Sequence, residues 1–232
     1  MITISFILLL LISSLFVNPK GEYTQNSRFY RWLLHTASGA AIKILGIRVH
    51  ATGMEKVPAH TRFLLVSNHR SNYDPILTWQ VFKDYDLAFV SKPENFKIPI
   101  FGRIIRKCCF LPIDREDPRK AIVTINKAAD YIKADTVSIG IYPEGTRSQE
   151  KYMLPFHNGV FKIAKKADVP IVVISVAGTD HIRHRLFRGV DVWLRVLDVI
   201  PAKKVAEAKT AELGDTVRTI ISHDLGRVTH AT

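Results

Sequence analysis

Two side chains that can transfer protons, those of His69 and Asp74, lie five positions apart in the polar segment 67–75. In an unbroken helix, positions i and i+5 point about 140° apart, but across a turn the two side chains can meet. Asp74 could then accept the proton of one imidazole nitrogen and leave the other nitrogen as a general base. Taken alone, the pair also fits a plain helix start, with Asp74 as N-cap, Pro75 at the first helical position and His69 on the surface.

The segment 142–148, Tyr-Pro-Glu-Gly-Thr-Arg-Ser, has the composition of an anion-binding turn. Gly145 permits a tight turn, and Thr146, Ser148 and the backbone amides can donate hydrogen bonds to an anion. Arg147 carries a planar guanidinium that matches the oxygens of a phosphate. A solvated turn with a simple charge pair is the alternative. The position favours binding, because ligands of α/β sheets gather where strands end.

Both segments follow short apolar runs that are typical of buried strands. Such runs occupy residues 62–66, 87–90, 109–113, 137–142, 171–176 and 190–199. Helical patterns fall between or after them, at 75–82, 119–133, 158–166 and 202–228. Solid apolar strands that alternate with helices predict an α/β fold, with a mixed, largely parallel sheet covered by helices.

Residues 2–17 form an apolar run without a charge. Its length is at the lower limit for crossing a bilayer, which takes about 17–25 residues. No Lys or Arg precedes the run and no small-residue cleavage site follows it, so we interpret it as a retained membrane segment rather than a signal peptide. Lys20, Arg28 and Arg31 follow it, which places the rest of the chain at the cytoplasmic face of the cell membrane. Whether this segment spans the membrane or lies along it stays open.

A second amphipathic segment follows the apolar run. Its apolar stripe, at spacings of three and four, is Phe29, Leu33, Ala37, Ala40, Ile44 and Ile47. Arg28, Arg31 and Lys43 fall beside this stripe, as in a helix that lies in the headgroup layer. An ordinary helix packed on the domain is the alternative. We predict an N-terminal membrane-associated unit at residues 1–48 and a second domain at 49–232.

The chain has 232 residues, of which 47% are hydrophobic, and a net charge of +12. The charge predicts an acidic partner: nucleic acid, anionic lipid or an acidic carrier protein. Cys108 and Cys109 are adjacent, where a disulfide would be strained, so we expect them to pack as small apolar groups. No G-x-S-x-G, G-x-G-x-x-G or Walker A motif occurs, which argues against serine hydrolases, dinucleotide-binding proteins and P-loop proteins.

Four ordered boxes together resemble the glycerolipid acyltransferase family, in its bacterial 1-acylglycerol-3-phosphate form. Residues 68–74 match the family's NHxxxxD box, and residues 142–148 match its FPEGTRS box with Tyr142 in place of Phe. Lys92, Phe101, Gly102 and the triplet 113–115, Ile-Asp-Arg, align with the middle motif. Residues 169–171, Val-Pro-Ile, match the fourth box. The family often has a basic FKKG after its EGTR sequence, where this chain has Phe156-His157-Asn158-Gly159.

The resemblance implies a glycerol-3-phosphate acyltransferase-like fold and a direct transfer of an acyl group from a thioester to a lysophospholipid hydroxyl. In that reaction His69, oriented by Asp74, is the general base, and no acyl-enzyme, cofactor or metal takes part. The residues implied for the acceptor and its phosphate are Arg147, Arg115, Glu144, Gly145 and Thr146. Those implied for the donor and acyl chain are Lys92, Phe101 and Gly102.

The implied partners are acyl carrier protein or acyl-CoA as donor, lysophosphatidic acid as acceptor, and an anionic membrane surface, without nucleic acid. Two alternatives stay open from the sequence. The same chemistry could act on glycerol-3-phosphate or another lysolipid. A non-catalytic basic protein on membranes or nucleic acid would explain the charge, but it gives no reason for His69 and Asp74 to accompany the EGTR turn.

Overall fold

The computed structural model describes residues 2–148, 152–185 and 187–229. A seven-stranded sheet with the order β1-β7-β6-β2-β5-β3-β4 forms the centre of the protein. The strands are β1 (Ile47–Thr52), β2 (Leu64–Ser67), β3 (Leu87–Ser91), β4 (Leu111–Pro112), β5 (Ser138–Ile141), β6 (Ile171–Ala177) and β7 (Val190–Ile200). Every neighbouring pair is parallel except β6 and β7, which are antiparallel. The predicted mixed, largely parallel sheet is confirmed.

Helices cover both faces of this sheet. They are α1 (Ile2–Leu15), α2 (Arg28–Ile44), α3 (Tyr73–Val81), α4 (Phe101–Lys107), α5 (Pro118–Lys133), α6 (Lys162–Ala167), α7 (Ala202–Glu207) and α8 (Thr210–Thr229). The 3-10 helices include Pro93–Lys97, Asn158–Phe161 and Thr179–His184.

The alternation of side chains along β2 divides the interior into two cores. Leu64 and Val66 face a core that includes buried residues of α5, α6 and α8. Phe63 and Leu65 face the opposite core, to which α2, α3 and α4 contribute. All four of these side chains are fully buried. A parallel sheet buried on both faces needs apolar residues at every position, which is why its strands read as unbroken apolar runs.

Two elements were not predicted. β1, with the sequence IRVHAT, is an edge strand in which only Ile47 is buried, so it lacks an apolar run. α4 has seven residues and is too short to show a helical repeat. The predicted strand at 109–113 shrinks to Leu111–Pro112, because Cys109 has φ +61°, outside the strand region. The predicted helix at 202–228 is divided into α7 and α8.

The amphipathic stripe predicted for α2 is wrong in part. Ile47 belongs to β1, and Phe29 and Ile44 are 46% and 65% exposed. The helix buries Leu33, which belongs to the predicted stripe, together with Leu34, which does not. The outward side thus keeps Phe29 and Ile44 together with Trp32.

Arg31, which was predicted to lie beside the stripe, is buried. Its Nη1 donates to the carbonyl oxygen of Leu87 at 3.0 Å, and its guanidinium lies 4.6 Å from the centre of the Trp79 ring. The side chain of Asn26 accepts two further hydrogen bonds from it, at 2.9 and 3.1 Å. These contacts hold the start of α2 against β3, so α2 packs on the sheet along one side and exposes the other.

The first helix, α1, has fourteen residues. Its outward side chains include Ile4, Ile7, Leu8, Leu11, Ile12 and Leu15, each between 41% and 72% exposed. Within the described residues, no helix has the combination of length and apolarity required to cross a membrane. The division of the chain near residue 48 stays a prediction.

Candidate active site

The two predicted motifs meet because their strands are neighbours. His69 follows β2 and Glu144 follows β5, and β2 pairs with β5 in parallel. The carboxyl ends of parallel strands lie at the same edge of a sheet. The amide of Ser148 donates to the carbonyl oxygen of His69 at 2.8 Å, and the amide of His69 donates to Glu144 Oε1 at 2.7 Å. The two loops are therefore bonded directly to each other.

His69 and Asp74 form the pair that their spacing suggested. The distance between His69 Nδ1 and Asp74 Oδ2 is 2.9 Å, and the carboxylate is completely buried. Oδ2 also accepts from the amides of Arg70 and Ser71, each at 2.7 Å. Since an ionised carboxylate can only accept hydrogen bonds, Nδ1 carries the ring proton and Nε2 is the basic nitrogen.

The place of Asp74 in its helix differs from the prediction. α3 begins at Tyr73 with Asn72 as N-cap, so Asp74 lies inside the first turn. Its carboxylate turns back to the preceding loop rather than to the helix amides. The predicted contact between Asp74 and His69 is therefore present, and the alternative interpretation of Asp74 as an N-cap is wrong.

The ring of His69 packs against the ring of Tyr142, the residue that replaces Phe in the second motif. The two rings stack with 4.5 Å between their centres, and the Tyr142 hydroxyl donates to Thr78 Oγ1 at 3.3 Å. Burial, together with the charge of Asp74, raises the pKa of Tyr142 well above its ordinary value. Tyr142 is therefore neutral, and its contact with His69 is one of packing.

Asn68 attaches the histidine loop to the neighbouring strand β6. Its Nδ2 donates to the carbonyl oxygen of Val176 at 2.8 Å, and its Oδ1 accepts from the amide of Val176 at 2.9 Å. Asn68 is completely buried. The side-chain amide thus continues the pairing of β2 with β6 just beyond Ser67, the last residue of β2. Asn68 belongs to the NHxxxxD box but was not predicted as a site residue.

Glu144 lies behind the site rather than in it. Its Oε1 accepts from the amide of His69, and its Oε2 accepts from the amide of Leu154 at 2.8 Å. Burial raises the pKa of Glu144, and the two amide hydrogen bonds oppose this shift. With both oxygens bonded to backbone amides, this carboxylate connects three loop segments.

A cavity of about 970 Å³ lies in front of His69. The predicted site residues that line it are His69, Lys92, Phe101, Arg115, Gly145, Thr146 and Arg147. Asp74, Glu144 and Gly102 are buried behind its wall. A Cβ on Gly102 would lie 2.5 Å from the carbonyl oxygen of Phe96, so this glycine lets α4 pack closely on the preceding 3-10 helix.

One part of the cavity wall is cationic. Arg115 and Arg147 contribute guanidinium groups, and Lys92 and Lys162 contribute ammonium groups. Burial lowers the pKa of Arg115, an effect that Glu94 opposes, but an arginine remains charged at neutral pH. Such a set of cations is suited to a phosphate group.

His157 also lines this part of the cavity, beside Gly145. Gly145 has φ +71°, and a Cβ there would lie 2.8 Å from Cδ2 of the His157 ring. Lys162 and His157 were not predicted as site residues. The FHNG sequence, which stands where the family often has a basic FKKG, was the signal that could have pointed to this segment.

Much of the remaining wall is apolar and extends between the sheet and the helices α4 and α5. It is formed by Phe89, Val90, Ile105, Phe110, Ile113, Ile122, Ile125 and Ile141. A cavity with cations in one part and aliphatic and aromatic side chains in much of the rest fits an amphiphilic ligand with an anionic head. His69 lines the same space.

The two cysteines are buried, as expected. Desolvation raises the pKa of Cys108 to about 12 and that of Cys109 to about 11. At neutral pH both are thiols, which are poor nucleophiles. In the described part of the chain, no three His, Cys, Asp or Glu side chains are grouped so that they could hold a metal ion.

Residues 48–177 match the family model described as Acyltransferase, which covers more than half of the chain. The chain belongs to this acyltransferase family. The resemblance that the four motifs indicated is thereby confirmed. Among its relatives is the 1-acyl-sn-glycerol-3-phosphate acyltransferase of Escherichia coli, 28% identical over 82% of this chain and 78% of that protein. An uncharacterized acyltransferase of Schizosaccharomyces pombe is 30% identical over 83% of this chain and 66% of that protein.

The fold has a match among solved structures. The crystal structure of the 1-acyl-sn-glycerophosphate (LPA) acyltransferase PlsC from Thermotoga maritima superposes with a TM-score of 0.72 and 23% sequence identity. The match covers 95% of this chain and 87% of that one. The protein therefore shares the architecture of the T. maritima acyltransferase over nearly its whole chain.

The buried role of Asn68 makes a prediction for stability. In N68A, the amide and carbonyl of Val176 lose their partners in the interior, where each unsatisfied group costs about 1–3 kcal/mol. We expect the free energy of unfolding in urea to fall by about 2–5 kcal/mol. N18A is the control, since Asn18 is exposed and its replacement should change the free energy of unfolding by less than about 0.5 kcal/mol. Equal stability of N68A and wild type would contradict the assignment.

Proposed function

We propose that this acyltransferase transfers a fatty acyl group from an acyl thioester to the sn-2 hydroxyl of 1-acyl-sn-glycerol-3-phosphate, giving phosphatidic acid for phospholipid synthesis. The observation that carries the proposal is that His69, Arg115 and Arg147 line one cavity whose remaining wall is largely apolar. Lysophosphatidic acid has the matching parts: a hydroxyl, a phosphate and an acyl chain. The names of the relatives from E. coli and T. maritima support the same acceptor.

In the proposed reaction His69 is the general base. Nδ1 is bonded to Asp74, so Nε2 is available to remove the proton of the acceptor hydroxyl. The hydroxyl oxygen then forms a bond with the thioester carbonyl carbon, and the carbon–sulfur bond breaks. The imidazolium returns the proton to the departing thiolate. Asp74 stabilises the imidazolium between these two proton transfers. No acyl-enzyme is formed.

The remaining predicted residues receive roles from their places in the cavity. Arg147 and Arg115 bind the phosphate of the acceptor. Gly145 and Thr146 shape the turn that carries Arg147. Lys92 and Phe101 contact the donor and its acyl chain. Glu144 and Gly102 act as positioning residues, because both are buried behind the cavity wall. Both acyl carrier protein and acyl-CoA remain candidate donors.

We further propose that α1 and α2 lie against the cytoplasmic face of the cell membrane. α1 exposes a row of large aliphatic side chains, and Trp32 and Phe29 continue this apolar surface on α2. The rings of Phe6 and Trp32 meet edge to face, with centres 6.1 Å apart. The net charge of +12 favours an anionic lipid surface.

Removal of the base should abolish the chemistry. In H69Q we expect kcat to fall by about 10²–10⁴-fold, the usual contribution of general-base catalysis. The assay follows phosphatidic acid by mass, with purified protein, lysophosphatidic acid and each thioester donor in turn. H60Q, a change at an exposed histidine, is the matched control and should retain full activity. Full activity of H69Q would refute the proposed mechanism. Competition by glycerol-3-phosphate or other lysolipids at fixed donor would reveal a different acceptor.

Loss of Arg147, one of the two proposed phosphate-binding arginines, should weaken acceptor binding. For R147A we expect the KM for lysophosphatidic acid to rise by about 10–100-fold, because charged hydrogen bonds contribute about 1.5–3 kcal/mol. The KM for the donor should stay unchanged. R48A is the control, since Arg48 lies on the edge strand β1 and pairs with Asp191. An unchanged acceptor KM in R147A would place the phosphate elsewhere.

The membrane contact is tested by the double variant F29S/W32S. Phe29 and Trp32 are 46% and 51% exposed, so inserting these portions into lipid contributes about 1 kcal/mol each. We expect the affinity for phosphatidylglycerol vesicles, measured by sedimentation, to fall by about tenfold or more. The variant F29L/W32F keeps an apolar surface and should bind like wild type. Equal binding of both variants would argue against this face as the contact.

A further inference from the structure

We propose that Thr179 is a positioning residue for the reaction, which acts through Asp74 on the orientation and tautomer of His69. The inference rests on the proposed function in that it assumes His69 to be the base. Thr179 Oγ1 donates a hydrogen bond of 2.5 Å to Asp74 Oδ1 across a sequence separation of 105 residues. Both residues are buried, with exposed fractions of 1% and 0%.

The two oxygens of Asp74 are bonded very differently. Oδ2 accepts from His69 Nδ1 and from the amides of Arg70 and Ser71. Oδ1 accepts from Thr179. A buried carboxylate oxygen without a donor is costly, so loss of the Thr179 hydroxyl would favour rotation of the carboxylate toward other donors. Such a rotation would weaken the bond to Nδ1 that keeps Nε2 unprotonated.

The position of Thr179 is set by the sheet. β6 pairs in parallel with β2, so the carboxyl end of β6 lies beside the histidine loop. Gly178 follows this end with φ +88°, and a Cβ there would lie 2.6 Å from the carbonyl oxygen of Asp191 on β7. The chain thus turns tightly against β7, and Thr179 begins a 3-10 helix at the turn.

The same 3-10 helix carries a second contact to the loop. Asp180 Oδ2 lies 3.4 Å from Nη2 of Arg70, the residue after His69. The first residue of the helix, Thr179, makes a buried hydrogen bond with Asp74, which gives this segment a role in holding Asp74.

The test compares T179V with T179S. Valine has the shape of threonine without the hydroxyl, whereas serine keeps the hydroxyl. We expect T179V to lower kcat by about tenfold or more, with the KM values for acceptor and donor changed by less than about twofold. T179S should restore kcat to within about threefold of wild type. T124V is the control: it removes the hydrogen bond that the half-buried Thr124 of α5 donates to the carbonyl oxygen of Pro112, and it should leave kcat unchanged.

A second measurement does not depend on turnover. In protein labelled with ¹⁵N-histidine, the ring signals of His69, assigned with H69Q, report which nitrogen carries the proton. We expect wild type and T179S to show the Nδ1–H tautomer and T179V to show a larger Nε2–H fraction. T179A, which removes the hydroxyl without adding bulk, replaces T179V if valine prevents folding.

The outcomes separate the two proposals. If wild type transfers no acyl group to any phosphate-bearing acceptor, the proposed function fails, and the tautomer measurement still decides the role of Thr179. If wild type is active and T179V matches it in kcat and tautomer, the inference is overturned. It is also overturned if T179S loses as much activity as T179V, because the hydroxyl would then not be the cause.

Discussion

The carboxylate of Asp74 is a negative charge in the interior, and the surroundings of the site satisfy it. Burial of an ion is unfavourable unless its hydrogen-bonding capacity is used. Here the donors are two amides of the loop after β2, the ring of His69, and a hydroxyl from the segment after β6. Because these hydrogen bonds all end on the carboxylate of Asp74, the loop, the imidazole and the 3-10 helix are held in a single arrangement.

The second carboxylate, that of Glu144, joins the loop after β5 to the same arrangement. It accepts from the amide of His69 and from that of Leu154. Asn68 makes the corresponding connection to β6 with a neutral amide. Three parallel neighbours, β5, β2 and β6, are thus bonded to one another beyond the ends of their strands. These contacts hold the loops behind the cavity that Arg147 and Lys162 line.

The distribution of polarity in the molecule is consistent with an amphiphilic substrate at an interface. The cavity combines four Lys and Arg side chains with an apolar wall. Outside it, α1 and the outward side of α2 expose aliphatic and aromatic side chains. The buried contacts of Arg31 keep α2 against the sheet while the opposite side of the helix stays apolar.

The sequence by itself determined the fold class, the main strands, the family and the pairing of His69 with Asp74. These depend on local features: unbroken apolar runs, residues five positions apart across a turn, and short motifs. The short helix α4 and the edge strand β1 escaped prediction because neither has enough buried positions to show a repeat. The tertiary structure alone decided that Asn68 and Thr179 belong to the site, since their partners lie 108 and 105 residues away. It also decided that Glu144 supports the cavity from behind, and that Phe29 and Ile44 face outward. The order of strands in the sheet decides which side of a helix is buried and which distant donor reaches a charge. No local sequence pattern reveals that order.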